Sequence, residues 1–516
     1  MERLKTVKSF KKGQDHMEQN RVLDVLTSKE LTYEQKVFSL AREAEDSLEV
    51  LDIPPKTRAY FETGALNDLF EGHAPYRPRY IMPDYKKFVR QGSKFLRIEP
   101  PKTLDELLTG LEILYHHVPS ITGFPVYLGE LDTMIEPFTT GLADDEVKEK
   151  IRLFLIYLDR TITDSFCHGN LGAKPTRTGR IILELEKELQ NAVPNLTLKY
   201  DPDVTPDEYA ELAVSTSLYC ANPAICNDAD NRTTYPCEYG ISSCYNILPV
   251  GGGAYTLSRI TLTELVKSAK STEHFLKELL PDCLNAVGNY MNERVKFLVE
   301  RSGFFESSFL VREGLIEREK FVGMFGVTGL AECVNALMAD TGKRYGHSAE
   351  ADDLGVQIME IIQKFVADFP AVYSEIGRGH YLLHAQVGLD SDKGITSGVR
   401  IPVGDEPENL LDHLRHSARF HEYFPTGVGD IFPFAVTARN NPGALVDIVK
   451  GSFQLGVKYM SFYASDSDLV RITGFLVKRS EMEKYRNHDV VLQNTTVLGS
   501  KNYDTNHLEL RKERMA

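Results

Sequence analysis

The segment from Ala221 to Gly253 constrains the fold more than any other part of the chain. It consists mainly of small, polar and glycine residues, it holds Cys226, Cys237 and Cys244, and helical patterns lie on both sides of it. Long stretches without regular structure are uncommon inside compact domains, and those that occur are usually functional. We therefore expect a functional loop that is held within a larger domain.

The rest of the chain alternates helical and strand patterns, as an α/β protein does. Residues Ile53–Pro101 are rich in proline, which prevents long helices, and predict an extended wrapping segment. A strand pattern occurs at Pro194–Asp203, and Thr205 is the expected N-cap of the helix that follows it. The pattern of Ile121–Phe138 predicts a strand that runs into a turn. Apolar periodicity predicts helices over Ser28–Glu49, Leu104–His117, Asp144–Leu158, Ile181–Asn191, Thr256–Ala269, Thr272–Arg301, Val327–Asp340 and Ala349–Phe369.

No internal repeat, low-complexity tract or linker divides the 516 residues into independent domains. Residues 1–100 are expected to form an N-terminal helical and wrapping segment, and residues 101–455 the body that carries the loop. Residues 456–516 form a C-terminal segment. We expect these three parts to make one integrated domain.

Charge and composition narrow the class of partner. The chain has 59 basic and 74 acidic residues, a formal net charge of −15. Nucleic acids and anionic membranes both require clustered Lys and Arg, so neither is expected as a partner. No stretch is long enough to span a membrane, and no apolar run follows the basic N-terminal residues. A small-molecule substrate and a cytoplasmic location are therefore favoured.

The seven cysteines are predicted to be reduced thiols. Their number is odd and too small for a disulfide scaffold of this size, and none forms a Cys-x-x-Cys pair. The histidines beside them, such as His168 next to Cys167, lack the spacing of a structural zinc site. We therefore expect no structural metal.

Two segments carry residues suited to chemistry. Near the C-terminus, Gly474 interrupts an apolar, strand-like run, which indicates a bulge, a bend or a close approach of another group. A simple turn is the alternative. In the second segment Cys244 precedes the triple glycine Gly251–Gly253, which lacks the Lys-Ser or Lys-Thr of a phosphate-binding loop. Cys244 itself could be merely a small buried apolar residue.

Taken together, these two segments resemble the glycyl radical enzyme family. The run Val470–Phe475 (VRITGF) is similar to the family's signature near the C-terminus, and Tyr239–Cys244 (YGISSC) is similar to its cysteine loop. The likeness spans most of the chain from about residue 100 onward and is closest to the YjjI-type subfamily, whose substrate is unassigned. Further similar segments are Leu66–Tyr80, Pro194–Tyr200, Thr256–Leu262 and Met324–Leu337.

The resemblance implies a fold and a set of partners. The expected fold is a ten-stranded α/β barrel surrounded by helices, with the cysteine loop and the glycine loop meeting inside it. The radical on Gly474 would be installed by a separate activating enzyme that uses S-adenosylmethionine and an iron–sulfur cluster, so no cofactor bound to this chain is expected. The family likeness also favours a homodimer.

The residue types fit radical chemistry. A radical on a glycine α-carbon is flanked by an electron-donating amide nitrogen and an electron-accepting carbonyl, and without a β-carbon the centre can flatten. A cysteine S–H bond is weak enough to give its hydrogen to that radical. The thiyl radical of Cys244 can in turn take hydrogen from a substrate carbon. Storage on Gly474 and delivery by Cys244 are therefore the predicted roles.

Departures from relatives weaken three specific activities. Many family members that eliminate water or amines have Cys-Val-Glu, whose carboxylate can act as a base, whereas this chain has Cys244-Tyr245-Asn246. Pyruvate formate-lyase has two adjacent cysteines, but Ser243 precedes Cys244 here. Anaerobic ribonucleotide reductase usually adds a four-cysteine zinc site near its C-terminus, and no cysteine follows Cys333.

Other side chains are weaker candidates. Cys237 could be a second thiol and Glu238 a base, although a satisfied loop cysteine and a solvated carboxylate are the ordinary alternatives. Four residues that flank a predicted strand could line a substrate pocket or have only exposed or capping roles: His116, His117, Glu130 and Asp132. Three histidines in or near one predicted helix are expected to form a solvated face rather than a metal site: His413, His416 and His421.

Two other functions remain open at this level. The chain could be a non-catalytic partner that supplies a radical domain to a damaged enzyme, although the presence of both loops argues against that role. It could also be a thiol enzyme that uses Cys244 as a nucleophile with a histidine. Such an enzyme would survive air, need no activating enzyme and tolerate Gly474→Ala.

Overall fold

Within the described part of the chain, ten strands form two five-stranded sheets with helices packed around them. The computed structural model describes residues 21–68, 76–120, 122–386, 392, 394–505 and 510–515. Three stretches mentioned above lie outside the described residues: the N-terminal residues 1–20, residues 69–75 of the segment Leu66–Tyr80, and Ile121 of the predicted strand.

The strands, in chain order, are β1 Leu66–Asn67, β2 Tyr80–Met82, β3 His168–Leu171, β4 Asn195–Tyr200, β5 Ala224–Asn227, β6 Tyr239–Ser242, β7 Asn246–Pro249, β8 Gly252–Thr261, β9 Phe321–Thr328, β10 Leu382–Ala385, β11 Asp430–Phe434, β12 Tyr459–Ala464, β13 Leu469–Arg471 and β14 Leu476–Lys478.

The α-helices are α1 Tyr33–Asp46, α2 Pro55–Glu62, α3 Tyr85–Gln91, α4 Leu104–Tyr115, α5 Leu131–Ile135, α6 Asp144–Thr161, α7 Arg177–Leu189, α8 Asp207–Cys220, α9 Asp228–Asn231, α10 Leu262–Val266, α11 Thr272–His274, α12 Leu280–Glu300, α13 Phe304–Ser307, α14 Phe309–Arg312, α15 Leu330–Leu337, α16 Ala349–Asp368, α17 Leu410–His421, α18 Pro442–Leu455, α19 Arg479–Arg486 and α20 Asn494–Thr505. One π-helical turn, Phe275–Leu279, joins α11 to α12.

The two sheets enclose the hairpin that carries Cys244. In the first sheet β8, β9 and β10 are parallel, while β1 and β2 pair antiparallel with β8. In the second sheet β3, β4 and β5 are parallel, β12 is antiparallel to β5, and β11 is parallel to β12. The antiparallel hairpin of β6 and β7 contacts β3 of the second sheet and β8 of the first. The predicted ten-stranded α/β fold with an interior cysteine loop is therefore confirmed.

Three apolar cores, counted among the described residues, stabilise this arrangement. One gathers buried side chains of β3, β4 and β5 with helices α4, α6, α7 and α8. A second is built mainly from α10, α12, α15 and α16 against the first sheet. A third and smaller core surrounds β13 and β14. Within the described residues every helix is too short or too polar to span a bilayer.

Most helix predictions are confirmed to within a few residues, but the predicted helix from Thr256 is wrong. That segment is β8, a strand buried along its whole length, and only Leu262–Val266 is helical. A strand buried on both faces lacks the alternation of polar and apolar residues that identifies a half-exposed strand. The spacing of the apolar residues in β8 therefore matched the pattern of a helix. For the same reason the helix predicted from Val327 begins only at Leu330, after the end of β9.

Two further predictions need correction. The strand predicted over Ile121–Phe138 is absent from residues 122–138, which instead contain α5 and one 3₁₀ turn. Thr205 is not the N-cap of α8, because Pro206 occupies that position while the Thr205 hydroxyl donates to the carbonyl of Ala173. The hydroxyl therefore ties the start of α8 to the loop after β3.

The triple glycine serves strand packing. A β-carbon on Gly252 would lie 2.0 Å from the carbonyl oxygen of Lys320, and one on Gly253 would lie 2.0 Å from that of Tyr80. Because contacts this short are impossible, only glycine lets β8 approach the neighbouring backbone on both sides. The geometry accounts for these glycines without a phosphate.

Candidate active site

The cysteine hairpin, formed by β6 and β7, holds Cys244 in its turn. Ser243 has a φ of 57°, the left-handed conformation that tight turns require. The Asn170 side chain of β3 fixes the incoming strand, because its amide nitrogen donates to the carbonyl of Ile241 and its oxygen accepts from the amide of the same residue, both at 2.8 Å. The Cys244 side chain is 3% exposed.

The glycine hairpin, formed by β13 and β14, holds Gly474 in the buried bend between its strands. Ser165 fixes one arm, since its hydroxyl donates to the carbonyl of Leu476 at 2.9 Å and accepts from the amide of that residue at 3.0 Å. Arg511 fixes the other arm by donating to the carbonyls of Arg471 and Ile472. The bend is thus held from both sides.

Asn195 at the start of β4 links the two hairpins. Its Nδ2 lies 3.4 Å from the carbonyl oxygen of Ser243 and 3.3 Å from that of Gly474, and donates to both. Its Oδ1 accepts from Nη2 of Arg471 at 2.7 Å. One fully buried amide therefore contacts the residue before Cys244 and the candidate radical residue itself.

The Arg471 guanidinium spans the same junction. It donates through Nε to the carbonyl of Ala221 at 3.1 Å and through Nη1 to the carbonyl of Gly474 at 3.5 Å. Burial lowers the pKa of this guanidinium, but the carbonyl and amide oxygens around it receive its hydrogen bonds. A buried guanidinium needs such acceptors because an unsatisfied donor in the interior is costly.

His168 and Tyr459 support the turn of the cysteine hairpin. His168 Nδ1 lies 3.0 Å from the carbonyl oxygen of Ser243, and its Nε2 lies 2.7 Å from the Thr197 hydroxyl. Burial lowers the pKa of His168 to about 3, so the ring is neutral and the carbonyl selects the Nδ1–H tautomer. The Tyr459 hydroxyl donates to the carbonyl of Cys244 at 3.0 Å. Both contacts act on backbone and leave the sulfur to other partners.

The Cys244 thiol is neutral at neutral pH. Burial raises its pKa to about 11, although the charges of Arg400 and Arg79 oppose this rise. Its Sγ lies 3.5 Å from Oδ1 of Asn246 and donates to it. A buried neutral thiol is a poor nucleophile, because the nucleophilic species is the thiolate, but it still has a hydrogen atom to give.

Arg400 ties the glycine hairpin to the wall behind the cysteine hairpin. Its Nη1 donates to the carbonyl of Thr473 at 2.9 Å and its Nε to that of Gly429 at 2.7 Å. Its guanidinium carbon lies 5.6 Å from the centre of the Tyr245 ring. The Asp430 carboxylate lies 3.9 Å from Arg400. Its contacts with His413 and Arg400 hold the pKa of the carboxyl well below the usual range.

The prediction of a solvated histidine face is wrong, because His413, His416 and His421 are all buried. His413 Nε2 lies 3.0 Å from Asp430 Oδ2, and His421 Nδ1 accepts from the amide of Lys458. Burial lowers the pKa of His421 to about 3. The described residues contain no cluster of three or more metal-ligating side chains.

The other candidates are dispersed. Cys237 is half-buried against the first core, burial raises the pKa of its thiol, and exposed Glu238 pairs with Lys86 at 2.7 Å. Of the four residues around the wrongly predicted strand, partly buried Glu130 forms an ion pair with buried Lys199 at 2.9 Å. The remaining three are placed as follows: Asp132 is buried and accepts from the amide of Gly172, exposed His116 contacts Tyr157, and His117 lines a separate cavity of about 320 Å³.

Sequence reasoning missed the residues that join the hairpins. The sequence predicts a strand at Asn195 but no functional role for its side chain, and none for the side chains of Arg400 and Arg471. One signal was available, because Asn195, Thr197 and Lys199 alternate with apolar residues along β4 and so share one face. Polar residues on one face of a wholly buried strand indicate a polar interior.

The chain is similar to known proteins over nearly its whole length. The family described as "Glycyl radical enzyme YjjI-like" matches residues 31–514. An uncharacterised Haemophilus influenzae protein is 44% identical over 487 residues, 93% of this chain and 94% of the relative. The uncharacterised protein YjjI of Escherichia coli K12 is 42% identical over 484 residues, 93% of each chain.

Two solved structures share the fold at low identity. Hydroxyproline dehydratase from Clostridioides difficile has a TM-score of 0.69 at 11% identity and covers 96% of this chain and 88% of its own. The anaerobic ribonucleotide reductase from Thermotoga maritima, with glycerol in its active site, has a TM-score of 0.62 at 14% identity and covers 93% and 90%. The family match over nearly the whole chain settles the assignment: this chain belongs to the YjjI-like family of glycyl radical enzymes.

Proposed function

We propose that Gly474 stores the radical and that Cys244 delivers it to a small substrate under anaerobic conditions. The observation that carries the proposal is the Asn195 amide, which bonds to the carbonyls of both Ser243 and Gly474. It brings the turn with the thiol and the bend with the glycine into one buried site. The proposed hydrogen transfer takes place between these two buried turns.

In the proposed reaction a hydrogen atom moves twice. The Gly474 α-carbon radical takes the hydrogen of the Cys244 S–H bond, which leaves glycine with two α-hydrogens and a thiyl radical on sulfur. The thiyl radical then takes a hydrogen atom from a substrate C–H bond, which restores the thiol and leaves the radical on the substrate carbon. A neutral thiol is required for the first transfer, and the raised pKa of Cys244 supplies it. The same neutrality disfavours a cysteine-nucleophile enzyme.

The partners follow from the family. Glycyl radical enzymes generally need a separate activating enzyme, and we propose that one using S-adenosylmethionine and an iron–sulfur cluster installs the radical on Gly474. We also propose that the chain acts in the cytoplasm as a homodimer.

The test is electron paramagnetic resonance of protein activated anaerobically in H₂O and in D₂O. In H₂O we expect a doublet from the single remaining α-hydrogen of Gly474, and no such signal in Gly474→Ala. In D₂O the Cys244 thiol becomes S–D, so repeated transfer should replace the α-hydrogen and collapse the doublet to a singlet. Cys244→Ser should keep the doublet in D₂O. A singlet in that variant, or a doublet in Gly474→Ala, would falsify the assignment.

A further inference from the structure

The cysteine hairpin carries two buried polar groups that its own hydrogen bonds do not use. Asn246 and Ser242 are both 0% exposed, and among the described residues the amide nitrogen of Asn246 and the hydroxyl of Ser242 have no hydrogen-bond partner. A buried donor left unsatisfied costs about 1–3 kcal/mol, so a pair of them in one hairpin requires an explanation.

Their placement points at the reacting sulfur. Ser242 and Asn246 are directly opposite each other in the antiparallel pairing of β6 and β7, so their side chains lie on one face of the hairpin. Cys244 lies in the turn between them, and its S–H is directed to Asn246 Oδ1 at 3.5 Å. Because Oδ1 and Nδ2 belong to one planar amide, the unused N–H groups of Asn246 are held beside the thiol.

We propose that Asn246 and Ser242 bind an oxygen atom carried by the substrate carbon that loses hydrogen to Cys244, so that the substrate is a small hydroxylated or hydroxy-carboxylate compound rather than a hydrocarbon. This inference rests on the proposed function. Asn246 Nδ2 can only donate and so requires an acceptor, which an alcohol or carboxylate oxygen provides. A hydrocarbon would leave both groups unsatisfied in a dry site.

The electrostatic surroundings agree with an oxygen-rich substrate. The guanidinium groups of Arg79 and Arg400 both act on the Cys244 thiol and favour negative charge there. Arg400 is already engaged by backbone carbonyls, and Arg79 is 6% exposed. The two guanidinium groups favour a partially negative oxygen beside the sulfur, and the Asp430 carboxylate, 3.9 Å from Arg400, offsets part of their charge.

Asn246 also has a geometric role in hydrogen transfer. Its Oδ1 fixes the orientation of the S–H bond in the resting enzyme, while its amide nitrogen would fix the substrate oxygen. The substrate C–H bond beside that oxygen is then presented to the sulfur. Unlike a glutamate, the amide cannot accept a full proton at neutral pH, so Asn246 positions the substrate and does not act as a base.

The test is deuterium transfer into probe molecules by radical-loaded enzyme in D₂O. The probes are 1,2-propanediol, lactate and toluene. A thiyl radical takes hydrogen from a probe carbon, the resulting thiol exchanges with solvent, and the S–D bond returns deuterium to the carbon, so the probe gains one deuterium and the enzyme is unchanged. Mass spectrometry locates the label.

We expect label on the oxygen-bearing carbon of 1,2-propanediol or lactate and none in toluene. Asn246→Ala and Ser242→Ala should each reduce labelling about tenfold or more, while the Gly474 radical still forms. Asn231→Ala, a buried asparagine of the same segment outside the hairpin, should label as the wild type does.

Three results would overturn the inference. These are label in the methyl group of toluene, undiminished labelling in Asn246→Ala, and an absence of label in every oxygenated probe although the wild-type doublet collapses in D₂O. The last condition separates this inference from the proposed function, because collapse of the doublet reports Gly474 and Cys244 alone. If the doublet itself fails to form or collapse, the proposed function fails first.

Discussion

Replacing Asn195 with alanine tests whether one amide holds the two hairpins together. The substitution removes the 2.7 Å bond from the Arg471 guanidinium and the two longer bonds to the carbonyls of Ser243 and Gly474. A bond to a charged group contributes about 1.5–3 kcal/mol, and two long neutral bonds add about 1 kcal/mol together. We therefore expect the free energy of local opening of the glycine hairpin to fall by about 3 kcal/mol.

That loss is measurable by hydrogen exchange. About 3 kcal/mol corresponds to roughly a hundredfold increase in the open population, so amides of the glycine hairpin should exchange about a hundredfold faster. Asn191→Ala is the matched control, because Asn191 is equally buried but donates one 3.4 Å bond to the carbonyl of Leu155, away from both hairpins. Unchanged exchange in Asn195→Ala, or an equal increase in the control, would refute the linking role.

Three further predictions concern single side chains. Arg511→Gln should speed amide hydrogen exchange in the glycine hairpin about tenfold, because the two charge-assisted bonds of this half-buried side chain contribute about 1–2 kcal/mol. The control Lys512→Gln should leave the exchange rate unchanged. Equal exchange rates in the two variants would contradict this prediction. Burial raises the pKa of Glu186 to about 8, above its value in the unfolded chain. Its contribution to the free energy of unfolding is therefore complete below about pH 4.5, and falls by about 1.4 kcal/mol per pH unit as the pH rises to 8. Glu186→Gln should flatten denaturant midpoints measured from pH 5 to pH 8, and the exposed Glu188→Gln should leave the slope unchanged. Burial lowers the pKa of His384 to about 3, below its value in the unfolded chain. Its contribution to the free energy of unfolding is therefore complete above about pH 6.5 and is lost as the pH falls towards 3. His384→Gln should make the denaturant midpoint less sensitive to acid.

The sequence predicted the family and the fold class of this protein better than its local structure. The roles of Gly474 and Cys244 remain predictions from motif and residue type, and the structure joins the two hairpins that carry them through the Asn195 amide. The α/β fold, expected from the family likeness, is confirmed. β8 was missed because a strand covered on both faces has no alternating pattern. The buried histidines of α17 were misplaced because a polar helix face normally meets water, and nothing local indicates that Asp430 lies across from His413.

The contacts that join the hairpins could not be predicted from one sequence. Asn195 and Arg471 are 276 positions apart, and neither belongs to a pattern that requires the other. Their pairing exists only because β4 and β13 are brought together by the fold. Thr205 illustrates the same limit at short range, since a typical capping residue is used for a contact with Ala173 instead.

If Gly474 carries the radical as proposed, exposure to air should cleave the chain at that residue, and the small core around the glycine hairpin determines what such damage would leave behind. Cleavage of the chain at Gly474 would separate residues 475–516, and none of the buried residues that form the two large cores lies in that stretch. The third core, which contains Phe475, Leu476 and Val477, would be divided. An oxygen-damaged molecule would therefore lose its radical site and keep most of its architecture. The two large cores would therefore hold the longer fragment in a folded, inactive state.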